Sequence, residues 1–141
     1  MTNWTKHTGT ERPSELAPAQ IVEWSASADR PASFDRADGA IPWFGGAFMP
    51  FYYRPALDPD GLPYVSAEGL TGGTKYVAKD KDGAVISFGA KPRYMESIGE
   101  WDFLPGDADH LTVNELYTGD PGPEFAIPGP PENSLARVWR E

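Results

Sequence analysis

Residues 75–88 carry the clearest folding signal in this chain, two short strands joined by a tight turn at Asp82-Gly83. Their Val, Ile, Tyr and Phe residues are enriched in strands, and an Asp-Gly pair tolerates the positive φ angles of a type I′ turn or a Gly bulge. The segment therefore predicts a β-hairpin. Asp80 and Asp82 also resemble the start of an EF-hand calcium loop, but the third acidic position and the closing Glu are missing, so a β-turn is favoured.

Proline and glycine extend the β prediction to the whole chain. Fifteen of each occur in 141 residues, and because both interrupt helices and favour turns, a helical bundle is excluded. Further strands are predicted at 20–25, 48–54 and 99–103, whereas 111–117 reads either as a strand or as one helical turn. Turns are predicted throughout 26–40, a bend at Gly45-Gly46, extended chain over 120–133 and an apolar anchor within 134–141. We expect a mainly β fold with little helix, built from small antiparallel sheets or a barrel-like arrangement with long Pro- and Gly-rich loops.

A turn-rich stretch divides the chain by composition. Residues 57–73 contain the turn signal Asp58-Pro59-Asp60-Gly61 and a Gly-rich segment, and we interpret them as a linker. Residues 1–56 would then form an N-terminal β module, and residues 74–141 a C-terminal β module with an extended acidic tail region. A chain of this length also fits a single compact domain, which stays the alternative.

The charge and the cysteine count exclude several classes of function. A net charge of −9 and a sequence pI near 4.6 disfavour direct binding to nucleic acid, because phosphate contacts need clustered Lys and Arg. The absence of cysteine removes disulfides, thiolate nucleophiles and Cys-ligated zinc. No apolar run approaches the ~20 residues of a membrane-spanning helix. We therefore expect a soluble intracellular protein that does not act at a membrane.

The negative charge is concentrated in one part of the chain. Residues 94–136 contain no Lys or Arg, and a segment of one sign predicts an acidic face that binds a partner with a basic surface. The residues assigned to this predicted partner-binding face are Glu96, Glu100, Asp102, Asp107, Asp109, Glu115, Asp120 and Glu124.

The groups that could carry catalysis do not form a recognisable motif. The two histidines, His7 and His110, lie far apart, and neither has the spacing of a metal ligand. Carboxylates are so frequent that pairs arise by chance, which does not favour a glycosidase. The Gly-rich stretch 69–75 lacks the Walker spacing and precedes a predicted strand rather than a helix. We predict a non-catalytic protein with no catalytic, cofactor-binding or metal-binding residues.

Aromatic residues crowd into the stretch 43–53. Such a group supplies the large buried area that a small β fold needs, or it forms a binding patch on the surface. We expect about two-thirds of it to be core, with one or two exposed rings. The six members are Trp43, Phe44, Phe48, Phe51, Tyr52 and Tyr53. The candidates for exposure are Trp43, Tyr52 and Tyr53.

Two patterns resemble small, uncharacterised accessory proteins of bacteriophages and prophages. The first covers about residues 74–103 and comprises Tyr76-Val77-Ala78-Lys79-Asp80-x-Asp82-Gly83, then Phe88, Lys91-Pro92 and Trp101. The second covers about residues 3–54 with looser spacing and is similar to a module that opens Trp-x-x-His-x-Gly and closes on Tyr-Arg. Its matches are Trp4, His7, Gly9, Ile21-Val22-Glu23, Trp43 and Tyr53-Arg54, with Thr10 where a second Gly is usual. The resemblance implies a phage setting and supplies no catalytic residue.

The expected function is that of a phage-encoded, non-catalytic accessory protein that acts by protein–protein binding in the host cytoplasm. Its acidic face would meet the basic surface of a host or phage protein, as an inhibitor or decoy of a host protein that handles nucleic acid or serves in defence. The alternative is a virion component, such as a capsid decoration, head-fibre or tail-associated protein, whose Pro- and Gly-rich segments are ordered by neighbouring subunits. Oligomeric assembly is compatible with both.

Overall fold

A computed structural model describes residues 4–9, 11–26, 32–39, 41–44 and 51–140. Most of its regular structure is strand, so the predicted mainly β class is confirmed. In chain order the elements are β1 (Thr5–His7), β2 (Ile21–Ser25), β3 (Ser33–Arg36), β4 (Phe51–Pro55), β5 (Tyr64–Ser66), β6 (Tyr76–Lys79), β7 (Val85–Phe88), β8 (Arg93–Met95), β9 (Glu100–Asp102), α1 (Val113–Leu116), β10 (Tyr117–Gly119) and β11 (Ala136–Trp139).

The first four strands form an antiparallel sheet in the order β1-β4-β2-β3. The prediction of a strand at 20–25 is confirmed by β2. Of the strand predicted at 48–54, the described part is β4, and the Gly45-Gly46 bend and Phe48 lie outside the described residues. The prediction of turns throughout 26–40 is wrong at β3, because pairing with β2 makes a strand of a sequence with little β preference of its own.

The second sheet has five strands in the order β10-β7-β6-β11-β5, and β11 lies parallel to β5 and antiparallel to β6. One face is buried by alternate residues of its strands, among them Val65, Val77 and Val138, which pack against Phe125. The stretch 120–133, predicted to be extended, contains two single 3₁₀ turns, Pro123–Phe125 and Pro131–Asn133.

The hairpin predicted at 75–88 is confirmed as β6 and β7. Gly83 has a φ of +89°, and its N–H donates to the carbonyl oxygen of Asp80 at 2.9 Å, while the N–H of Asp80 donates to Ala84 at 2.8 Å. This pattern is a turn closed by a Gly bulge, one of the two geometries that Asp82-Gly83 predicts. The Asp82 carboxylate accepts the N–H of Ala84 at 2.9 Å, so its role in the turn is a backbone contact.

A third sheet pairs β8 with β9, which confirms the strand predicted at 99–103. The stretch 111–117, predicted as a strand or as one helical turn, contains the helical turn α1 and the first residue of strand β10. Thr112 caps α1 in a capping box with Glu115, and β10 starts directly afterwards at Tyr117. Within the described residues all three sheets are open at their edges, and no helix there is long and apolar enough to cross a membrane.

The stretch interpreted as a linker, 57–73, contains β5, so part of it belongs to the second sheet. The N–H of Ser66 donates to the carbonyl oxygen of Ala19 at 2.8 Å, and the N–H of Ala19 donates to that of Glu124 at 3.0 Å. Ala17 and Ala19 also pack into the core of the five-stranded sheet. These contacts join the two predicted modules, and the single-domain alternative accommodates them directly.

Candidate functional site

The acidic hairpin, which we define as residues 93–102, is fixed to the molecule by Trp101. The indole N–H of Trp101 donates to the carbonyl oxygen of Pro131 at 3.0 Å, and its backbone N–H donates to the Asp80 carboxylate at 2.9 Å. Its ring packs against Tyr94 across the strand pair, with 5.4 Å between ring centroids. Strand alternation therefore turns Tyr94 and Trp101 inward and leaves Glu100 exposed.

Carboxylates from separate segments converge around this hairpin. Desolvation, followed by the charges of Glu132, Glu96 and Asp80, raises the pKa of Tyr94. Desolvation also raises the pKa of Asp80, against the opposing hydrogen bond from the Trp101 backbone N–H, and the charges of Asp82 and Asp102 raise it further. We call Asp80, Asp82, Glu96, Asp102 and Glu132 the acidic cluster. In the described part of the chain, no Lys or Arg forms an ion pair with any of its members.

The eight residues predicted to form one acidic face are dispersed over the molecule. Glu96, Glu100 and Asp102 lie on the acidic hairpin. Asp107 forms an ion pair with Arg93 at 2.9 Å, and the N–H of Leu104, followed by Arg93, lowers the pKa of Asp107.

The remaining members have other surroundings. Hydrogen bonds from Thr112 lower the pKa of Glu115, which completes the capping box of α1. Glu124 lies close enough to Arg36 for its charge to raise the pKa of that guanidinium, although the hydrogen bond to Asp38 is the main cause. Asp109 and Asp120 are exposed. Asp80 and Asp82 were predicted as residues of the β6–β7 turn and not as members of the acidic face. Tertiary packing brings this turn next to β9, where the Trp101 N–H donates to Asp80, and the sequence does not reveal that contact.

Apolar side chains accompany the acidic cluster. Ile98, in the turn of the acidic hairpin, is 51% exposed, and Leu104 is exposed just beyond β9. The Tyr117 hydroxyl donates to the Asp102 carboxylate, and desolvation together with this bond raises the pKa of Tyr117 to about 12. A charged rim beside exposed apolar side chains is typical of a protein-binding surface.

The exposure predicted for Trp43 and Tyr53 is wrong, because both are buried in the core of the first sheet. The Trp43 indole donates to the carbonyl oxygen of Ala37 at 2.6 Å, and Nε2 of His7 lies 2.9 Å from the carbonyl oxygen of Trp43. His7 therefore serves the core. Tyr52 is half-buried, and the exposed ring among the described members of the group is Phe44, at 80%.

A second surface, around Trp139, was missed by the sequence analysis. Register places Arg137 between Tyr64 of β5 and Tyr76 of β6, on the face opposite the valine core. Trp139 lies on the same face, meets Tyr64 edge-on with ring centroids 4.9 Å apart, and stacks on Phe34 at 5.2 Å. The alternation in Ala136-Arg137-Val138-Trp139 was the available signal, but it does not identify the neighbouring strands.

No group of three or more His, Asp or Glu residues within the described ranges is arranged to hold a metal ion. Comparison of the chain with protein-family models, curated proteins and solved structures yields no match.

Proposed function

We propose that this chain is a non-catalytic, phage-encoded binding protein that docks the basic surface of a host protein on the acidic hairpin. The observation that carries the proposal is the acidic cluster, whose five carboxylates have no ion-pairing cation among the described residues. Asp80, Glu96 and Glu132 lie close enough to Tyr94 for their charges to raise its pKa, and Asp82 and Asp102 act in the same way on Asp80. The phage setting and the host cytoplasm rest on the sequence resemblance given above.

Uncompensated carboxylates favour a binding role because they create a negative potential that extends into solvent. Such a potential speeds the encounter with a basic protein and selects against acidic partners. The apolar side chain of Ile98, 51% exposed at the tip of the hairpin, supplies area that is buried on contact. The partner is therefore expected to present a basic groove with an apolar floor.

The test compares two variants that remove the same number of negative charges. One carries Glu96→Gln, Glu100→Gln and Glu132→Gln on the acidic hairpin and beside it, and the other carries Glu11→Gln, Asp109→Asn and Asp120→Asn, all exposed in the structure. Each is immobilised, exposed to lysate of the bacterial host, and cross-linked so that the contacting residues are identified by mass spectrometry.

We expect the unchanged protein and the second variant to capture the same basic protein, cross-linked to residues 93–102. The hairpin variant should retain about tenfold less of it, and the capture should weaken with rising salt because the charges are exposed. Equal capture by the two variants, or cross-links confined to other surfaces, would contradict the proposal.

A further inference from the structure

A groove of about 480 Å³ opens beside β11 on the outer face of the five-stranded sheet. This volume lies in the range of small-ligand sites, which is about 300–1,000 Å³. Its lining combines the aromatic residues Tyr64, Tyr76 and Trp139 with the cationic residues Lys75, Arg137 and Arg140. None of the described residues that line it is a carboxylate, although the chain as a whole carries a net charge of −9.

Arg140 is held in place without being neutralised. Its Nη2 donates to the carbonyl oxygens of Thr71 and Thr74, at 3.0 and 2.8 Å. Its Nε and Nη1 have no partner, and it forms no ion pair, among the described residues. A guanidinium fixed by neutral acceptors keeps its charge and part of its donor fork for an anion.

Lys75 adds a second cation, since it is exposed and has no ion pair in the described ranges. Arg137 differs, because its Nη1 lies 3.6 Å from Oδ2 of the buried Asp58. Lys75 and Arg140 are therefore the cations available to a ligand in the groove, while Arg137 partly balances the charge of the Asp58 carboxylate.

The aromatic residues give the groove a flat apolar side. Trp139 is kept in position by its edge-on contact with Tyr64 and by the stacked ring of Phe34. Tyr64 and Tyr76 are half-buried and stand on either side of Arg137. Fixed rings beside fixed cations suit a ligand that joins a planar ring to an oxyanion, because stacking and charge-assisted hydrogen bonds then act together.

We propose that this groove is a binding site for a small aromatic oxyanion of the nucleoside phosphate class. The phosphate lies against Lys75 and Arg140, and the base packs on the side formed by Trp139 and the two tyrosines. A single nucleotide fits the groove better than a nucleic-acid strand does, because a net charge of −9 repels a long polyanion. The site is separate from the acidic hairpin and does not depend on the function proposed for it.

The test is isothermal titration calorimetry of the full chain with AMP, adenosine and inorganic phosphate in parallel. The variants are Lys75→Gln and Arg140→Gln, and the matched control is Lys6→Gln, exposed on β1 in the other sheet. We expect AMP to bind more tightly than either fragment. Each groove variant should weaken AMP binding about tenfold, and Lys6→Gln should leave it unchanged.

The indole N–H signal of Trp139, assigned by its loss in Trp139→Phe, locates the site by nuclear magnetic resonance. A shift of this signal on addition of AMP supports the proposal. If inorganic phosphate binds as tightly as AMP, the aromatic rings do not contribute to binding and the proposal is wrong. If adenosine binds as tightly as AMP, Lys75 and Arg140 do not bind the phosphate and the proposal is equally wrong. No binding at millimolar AMP, or binding that both groove variants retain in full, would overturn the proposal.

Discussion

Asp58 shows how one buried carboxylate fixes a loop. Its side chain is 0% exposed, and Oδ1 accepts the N–H groups of Asp60 and Leu62 at 3.0 and 2.8 Å. Oδ2 accepts no hydrogen bond within the described structure, so its charge is balanced by Arg137 alone at 3.6 Å. The sequence predicted a turn at 58–61 but not this ion pair, because Arg137 lies in a strand formed by a distant part of the chain.

Arg137→Gln should lower the free energy of unfolding by about 2 kcal/mol, because it leaves the Asp58 carboxylate buried without a cation. The loss is measured by urea denaturation at neutral pH. Adding Asp58→Asn should recover part of it, since the uncompensated charge is then gone. If Asp58→Asn lowers the stability of the Arg137→Gln variant by as much as it lowers that of the unchanged protein, the two residues are not coupled.

Asp107 should make stability depend on pH in the acid range. The N–H of Leu104 and the Arg93 guanidinium lower the pKa of Asp107 below its ordinary 3.8. The unfolded chain therefore binds the proton more tightly, so the stabilisation is present above pH 3.8 and is lost as the pH falls through the lower pKa of the folded state.

The measurement is the free energy of unfolding of the unchanged protein and of Asp107→Asn between pH 7 and about pH 2. The unchanged protein should be the more stable at neutral pH, and the difference in free energy of unfolding between the two proteins should narrow in acid. A gap that stays constant over the whole range would show that the contact of Asp107 with Arg93 does not contribute through ionisation.

Among the elements, the hairpin formed by β6 and β7 was predictable because all of its determinants are local. A strand pattern, an Asp-Gly pair and a second strand pattern lie within fourteen consecutive residues, 75–88. By contrast, β3 and β5 are three or four residues long, and they become strands by pairing with segments that are already placed. The Trp139 surface escaped prediction for the same reason, since Phe34, Tyr64 and Trp139 meet only after β3 has paired with β2 and β5 with β11.

Gly83→Ala should destabilise the hairpin by about 1 kcal/mol, because a φ of +89° is unfavourable for a residue with a Cβ. A Cβ at this position would meet no atom within 4 Å, so the cost is conformational. Gly72→Ala is the matched control, since it is equally open and lacks a positive φ. Thermal unfolding followed by circular dichroism should separate the two, and equal melting temperatures would contradict the role given to the bulge.

At the scale of the whole molecule, β11 holds the five-stranded sheet together. It lies between β5 and β6, and removing it would divide the sheet and uncover the valine core. The sequence predicted an apolar anchor at 134–141, but its apolar residues do not reveal that the anchor is an internal strand. The acidic character of the molecule was predictable from composition, whereas the positions of its carboxylates depended on packing.

A chain that ends at Leu135 should not unfold cooperatively, because the edges of β5 and β6 lose their shared partner. A chain that ends at Trp139 keeps the strand and loses the contacts of Arg140 with Thr71 and Thr74, so it should unfold cooperatively at a slightly lower temperature. Calorimetry and the dispersion of amide resonances distinguish the two. Cooperative unfolding of the shorter chain would show that β11 is dispensable.

The place of β11 in the sheet also sets the order of events during biosynthesis. Its partner Val77 leaves the ribosome about 60 residues before Ala136 does, which corresponds to roughly 3–12 s of translation. The hairpin of β6 and β7 closes within microseconds, so it spends nearly all of that interval with one edge unpaired. A nascent chain of this design is most vulnerable to misassembly just before β11 emerges.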